Sequence, residues 1–106
     1  MSYAENYLKK QQNTEKEFVE RAIVRIEYAS EIKRIKGKIN AILIALKKER
    51  EKLGYTQYTM AEKMGISQNA YYKLEKGLTR LDFFRFLQIA SILKIKLSSF
   101  FYKNLA

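Results

Sequence analysis

The stretch Gly54-Tyr-Thr-Gln-Tyr-Thr-Met-Ala-Glu-Lys-Met-Gly-Ile-Ser-Gln-Asn-Ala-Tyr-Tyr-Lys-Leu-Glu-Lys-Gly77 decides the fold. Gly54, Gly65 and Gly77 each follow a helix-periodic pattern. At that place a helix ends on a residue of positive φ, which glycine adopts without a Cβ clash. Two short amphipathic segments lie between them. Thr56 is placed to cap a first helix over about Gln57–Met64, with Met60, Ala61 and Met64 inward. The small Ala61 allows another helix to cross closely. Ile66 plugs the turn from beneath, and Ser67 caps a second helix over about Gln68–Lys76. That helix buries Ala70, Tyr71 and Leu74 and turns Gln68, Asn69, Tyr72, Lys73 and Lys76 outward. Two short helices joined by a three-residue turn that opens on glycine describe a helix-turn-helix. The exposed amides suit adenine edges and the lysine suits guanine, as major-groove reading requires.

Outward from this stretch the chain is helical throughout. It has no proline, and no sustained apolar-polar alternation marks a strand. Ile39, Ile42, Leu43, Leu46 and Leu53 predict one helix face before the motif, and further helices are expected over about Asp82–Leu93 and near Leu97–Tyr102. Towards the N-terminus, Ser2 with Glu5 and Thr14 with Glu17 each match a capping box. From Thr14, residues Val19, Ala22, Ile23, Ile26, Ala29, Ile32 and Ile35 recur at three- and four-residue steps, predicting an amphipathic helix to about Lys36. Its other face, with Glu17, Glu20, Arg21, Arg25, Glu31 and Arg34, is expected to be solvated. Gly37 is the expected place for a bend, although one glycine costs only about 1 kcal/mol against alanine and leaves a continuous helix open. The expected architecture is all-α: residues 1–38 form an N-terminal amphipathic arm, and residues 39–106 form a five-helix domain.

Composition narrows the function. The chain of 106 residues carries 21 Lys and Arg against 11 Asp and Glu, a formal charge of +10. Such an excess favours polyanions, because every phosphate neutralised releases condensed counterions. There is no cysteine and no histidine, and Asp82 is the single aspartate. Disulfides, Cys/His metal sites and the usual general bases are thereby excluded, so no enzyme activity, catalytic residue, metal or cofactor is expected. No apolar run reaches the length of a membrane span and MSYAENYLKKQQ lacks a signal-peptide core, so a cytoplasmic protein with no membrane partner is expected.

The motif resembles the Cro/repressor (XRE-like) helix-turn-helix family. The matching residues are Tyr55-Thr56-Gln57, Met60-Ala61, Met64-Gly65-Ile66-Ser67 and Leu74-Glu75-Lys76-Gly77, without a gap. The pattern extends to Ile42, Leu46 and Arg50 upstream, and to Phe83, Phe86, Ile89-Ala90, Leu93, Leu97 and Phe101 downstream. The chain departs from it at Leu81, where the family often has proline, at Lys94 in place of a glycine, and at Lys96 in place of a capping Ser or Asp.

The resemblance implies a five-helix Cro/repressor-like domain whose second motif helix enters the major groove. Gln57 would bond a phosphate and brace that helix. Gln68 and Asn69 would touch base edges, with Tyr72 and Lys73 behind them. Lys76, Thr79 and Arg80 would grip the backbone. Arg50 and Glu75 would form a structural ion pair. Tyr72 is read equally well as a surface-braced aromatic. The aromatics Phe83, Phe84, Phe86, Phe100 and Phe101 read as core and interface.

The expected function is a transcriptional regulator, a repressor, that binds a palindromic operator in double-stranded DNA as a homodimer. The family further implies a bacterial or phage-encoded, nucleoid-associated protein. An antitoxin-like or adaptor protein, whose arm or aromatic C-terminus holds a protein partner, is the alternative. The arm's apolar stripe has three possible covers: its own domain, a second copy, or another protein. Its length favours self-association.

Overall fold

The computed structural model describes residues 2–105. It contains five helices and, among the described residues, no strand: α1 (Tyr3–Lys52), α2 (Gln57–Met64), α3 (Gln68–Lys76), α4 (Phe83–Ile92) and α5 (Leu97–Leu105). The chain divides into two compact units, Met1–Lys36 and Gly37–Ala106.

In the first unit the Ser2 capping box forms. The Glu5 amide donates to Ser2 Oγ at 3.2 Å, and the Ser2 amide donates to the Glu5 carboxylate at 3.3 Å. The Thr14 box does not form. Thr14 lies inside α1 and its hydroxyl donates to the Lys10 carbonyl at 2.9 Å. With the turn before it already helical, Thr14 has no free N–H groups to cap. Gly37 lies within α1 and does not interrupt it, since its neighbours' propensity outweighs one residue's entropy. Val19, Ile23 and Ile26 are exposed. The other face is not purely polar. Val24 and Tyr28 are also exposed, and Ile35, expected on the first stripe, falls in line with them at i, i+4 and i+11, because repeated three-residue steps drift round a 3.6-residue helix; the three form a second apolar line.

The second unit has one core. Ala45 and Leu46 of α1, Met60, Ala61 and Met64 of α2, Tyr71 and Leu74 of α3, Phe86 and Ile89 of α4, Leu93, and Phe100 of α5 pack together. Of the expected first face, Leu43 and Leu46 are buried and Ile42 packs at the edge, whereas Ile39 and Leu53 stay exposed. The facing helices are short, so the ends of the periodic pattern overrun what they cover. Phe86, Phe100 and Phe101 form an aromatic trio with ring centroids 5.7–6.3 Å apart, while Phe83 and Phe84 are exposed. The last helix runs to Leu105, beyond the expected Tyr102.

Every tight turn of this unit is a Schellman cap. At the end of α2, the Gly65 amide donates to the Glu62 carbonyl and the Ile66 amide to the Ala61 carbonyl. Gly77 does the same with Leu74 while Leu78 bonds Lys73. A Cβ on Gly77 would also come within 3.1 Å of Leu43 Cδ1. After α1, the Gly54 amide donates to the Glu51 carbonyl and the Tyr55 amide to the Arg50 carbonyl, and the fourth cap uses Lys94 at φ 55°, with the Lys94 amide on the Ser91 carbonyl and the Ile95 amide on the Ala90 carbonyl. A side chain in the left-handed region costs about 1–2 kcal/mol. Lys94→Gly is therefore expected to stabilise the unit by about 0.5–1 kcal/mol, after the extra unfolded-state entropy of glycine is subtracted. Thermal unfolding checks this. A melting temperature at or below that of the wild type would show that the Lys94 side chain contributes more than its strain.

Candidate nucleic-acid interface

Two helices and their caps build the candidate surface. Thr56 and Ser67 both take extended backbone and accept amide hydrogen bonds, Thr56 Oγ1 from Thr59 at 3.0 Å and Ser67 Oγ from Ala70 at 3.1 Å. These caps define where α2 and α3 begin. Between them the chain turns through Gly65, and Ile66 packs against the core. α2 packs on both α3 and α4, and Tyr71 and Leu74 anchor α3 from below.

The outward side of α3 presents Gln68, Asn69, Tyr72, Lys73 and Lys76, all exposed. Thr79 and Arg80 are exposed in the loop after Gly77. Gln57, at the first position of α2, is half-buried. The structure thus brings all eight nucleic-acid candidates into one unit, on α3, its following loop and the start of α2. An open groove beside α3 is lined by Ser67, Asn69, Lys73, Thr79 and, from α4, Arg85.

The only acid on α3 is Glu75, and it does not face solvent. Its carboxylate accepts two bonds from Arg50, Nε to Oε2 at 2.9 Å and Nη2 to Oε1 at 2.8 Å. Arg50 Nη1 donates to the Tyr55 carbonyl at 2.6 Å, and Gln57 Nε2 reaches Glu75 Oε1 at a long 3.5 Å. The Glu75 side chain is 2% exposed and that of Arg50 9%. Burial pushes the Glu75 carboxyl upward, but hydrogen bonds from Arg50, Tyr71 and Gln57 and the Arg50 charge outweigh it, so the carboxyl sits below its ordinary value. Burial, followed by the Glu75 carboxylate, pushes the Tyr71 phenol upward and keeps it neutral. The pair ties the end of α1, the start of α2 and the end of α3 together. It also removes the one negative charge from α3, so the exposed side of that helix carries only amides, a phenol and cations.

Arg85 is the groove residue that sequence reasoning passed over, and Gln88 is its hydrogen-bond partner. They lie one turn apart on α4, where α4 meets the turn of the motif. Only their i, i+3 spacing hinted at a pair, and nothing local placed them beside α3.

A family model described as helix-turn-helix matches residues 46–100, which span α2, α3, α4 and every candidate residue. No curated protein and no solved structure matches the chain. No described helix is long and apolar enough to cross a membrane.

Proposed function

Because the chain belongs to the Cro/repressor-like helix-turn-helix family, whose members are DNA-binding transcription regulators, we propose that it is a sequence-specific repressor that lays α3 in the major groove of operator DNA. The observation that carries this reading is the exposed side of α3, where amides and cations stand with no free carboxylate among them. Gln68 and Asn69, in the first turn, contact base edges, with Tyr72 and Lys73 behind them. Gln57, Lys76, Thr79 and Arg80 hold phosphates on either side and set the register. Duplex DNA is the partner, and the cytoplasm of a bacterium is the place of action.

One such domain covers one half-site. Two copies joined through the arm would read a palindrome if their α3 helices sit about 34 Å apart. The exposed stripe of Val19, Ile23 and Ile26 supports that pairing. A second reading, an antitoxin-like or adaptor role, is favoured by the additional line Val24, Tyr28 and Ile35, since one partner helix does not cover both.

Replacing Gln68 or Asn69 by alanine is expected to relax preference at particular base pairs, costing about 1–3 kcal/mol on the cognate site. Arg80→Ala should instead weaken all duplexes almost equally. Binding titrations against a set of single-base operator variants, at several salt concentrations, check both. Wild-type binding with no salt dependence would sink the DNA-binding reading, and a preference change confined to Arg80→Ala would invert the assignment.

A further inference from the structure

We propose that Arg85, outside the helix-turn-helix itself, is a phosphate-binding residue of the DNA interface, held in position by Gln88. This rests on the DNA-binding reading above. The groove beside α3 brings Arg85 into one lining with Lys73, Asn69, Thr79 and Ser67, two cations and three neutral polar groups with no carboxylate.

The two buried or half-buried arginines of this unit are held in opposite ways. Arg50 is neutralised by Glu75. Arg85 donates through Nη1 to Gln88 Oε1 at 2.8 Å, and no described carboxylate comes within ion-pair distance of it. Gln88 in turn donates from Nε2 to the Met64 carbonyl at 3.3 Å, one of the last carbonyls of α2. The Phe84 ring lies 5.9 Å from the guanidinium carbon. A neutral amide therefore orients the guanidinium, and the neighbouring Asp82 carboxylate is engaged by the Arg85 backbone amide at 2.7 Å and forms no ion pair with the side chain. Its planar fork suits phosphate oxygens, and holding it in advance reduces the entropy lost on contact. The anion that fits is a phosphodiester of the duplex whose bases Asn69 faces, with the Lys73 ammonium and the Thr79 hydroxyl in the same lining.

The test uses the full chain and duplex binding measured against salt. Loss of one phosphate contact lowers the log–log slope by about 0.9. Arg85→Gln is expected to show that change, with a loss of about tenfold in affinity, the worth of one charged hydrogen bond. The loss should be similar on every duplex, with base preference and melting temperature close to wild type. Gln88→Leu should keep the slope, since the charge remains, and still bind more weakly. Should Arg85→Gln fail to fold, Arg85→Lys decides: a retained slope with several-fold weaker binding supports the fork, and wild-type affinity overturns it. An unchanged slope in a folded Arg85→Gln variant overturns the proposal, as does a changed preference at one base pair. Unchanged affinity in Gln88→Leu removes the positioning role. A wild-type protein whose binding ignores salt would instead overturn the DNA-binding reading itself.

Discussion

Arg50→Ala and Glu75→Ala are each expected to lower the stability of the second unit by about 3–5 kcal/mol, because either change strands the surviving charge in a nearly dry site. Small domains are stable by only about 5–15 kcal/mol, so such variants would be largely unfolded well below the wild-type melting temperature. The loss goes beyond the ion pair. Without Arg50 the Tyr55 carbonyl loses its 2.6 Å donor, and without Glu75 the Arg50 fork loses both of its carboxylate hydrogen bonds. Replacing both residues together by Met and Leu should recover much of the loss, since burying two ions has its own desolvation cost. The same carboxylate makes stability depend on acid. Its folded-state pKa lies below the ordinary 4.5, so the unfolded chain binds the proton more tightly. The stabilisation is present above about pH 4.5 and is lost as pH falls through the lower, folded-state value. Denaturant melts from pH 7 down to pH 3 check both points. Equal melting temperatures for wild type and single variants would show that the contacts contribute no net stability.

Removing residues 1–36 is expected to leave a folded unit that binds an operator about 10²–10⁴-fold more weakly and without cooperativity, because two linked half-site contacts become independent. The boundary follows the division of the chain, and every core residue lies after it. Val19 at 55% and Ile26 at 67% exposure are costly in water, and each large apolar side chain buried by a partner helix returns about 1.5–3 kcal/mol. Ile23→Glu with Ile26→Glu in the full chain should have the same effect by placing four charges in the seam of a pair. Sedimentation together with operator titration checks this. If the truncated protein still forms a dimer and binds as tightly, the arm serves another protein, and the line of Val24, Tyr28 and Ile35 becomes the place to look.

The motif was legible because its signals are local. Thr56, Ser67, Gly65 and Gly77 act on backbone within a few residues, so their caps and turns follow from neighbours in the chain. Local signals mislead where they meet a larger context. Thr14 and Glu17 match a capping box, yet helix already precedes them. Ile39 and Leu53 continue a periodic face past the reach of the short helices that cover it. Lys94 shows the reverse case: a cap forms at a residue unsuited to it, because Leu93, Ile95 and Phe100 packing demands the turn.

What the sequence determined by itself is the all-α class, the positions of α2 and α3, the cationic balance, and the amides and lysines of α3. Each depends on periodicity, capping or composition, which act over one or two turns of chain. The pairing of Arg50 with Glu75, 25 residues apart, was implied by the family resemblance and by no local signal, and only tertiary structure decided that it closes through two hydrogen bonds and leaves α3 without an exposed negative charge. Tertiary structure likewise decided that Gln88 of α4 bonds the end of α2 and that Arg85 stands in the groove beside α3. Such contacts form only when helices distant in sequence pack, and the burial that makes them strong does not exist until the core has closed.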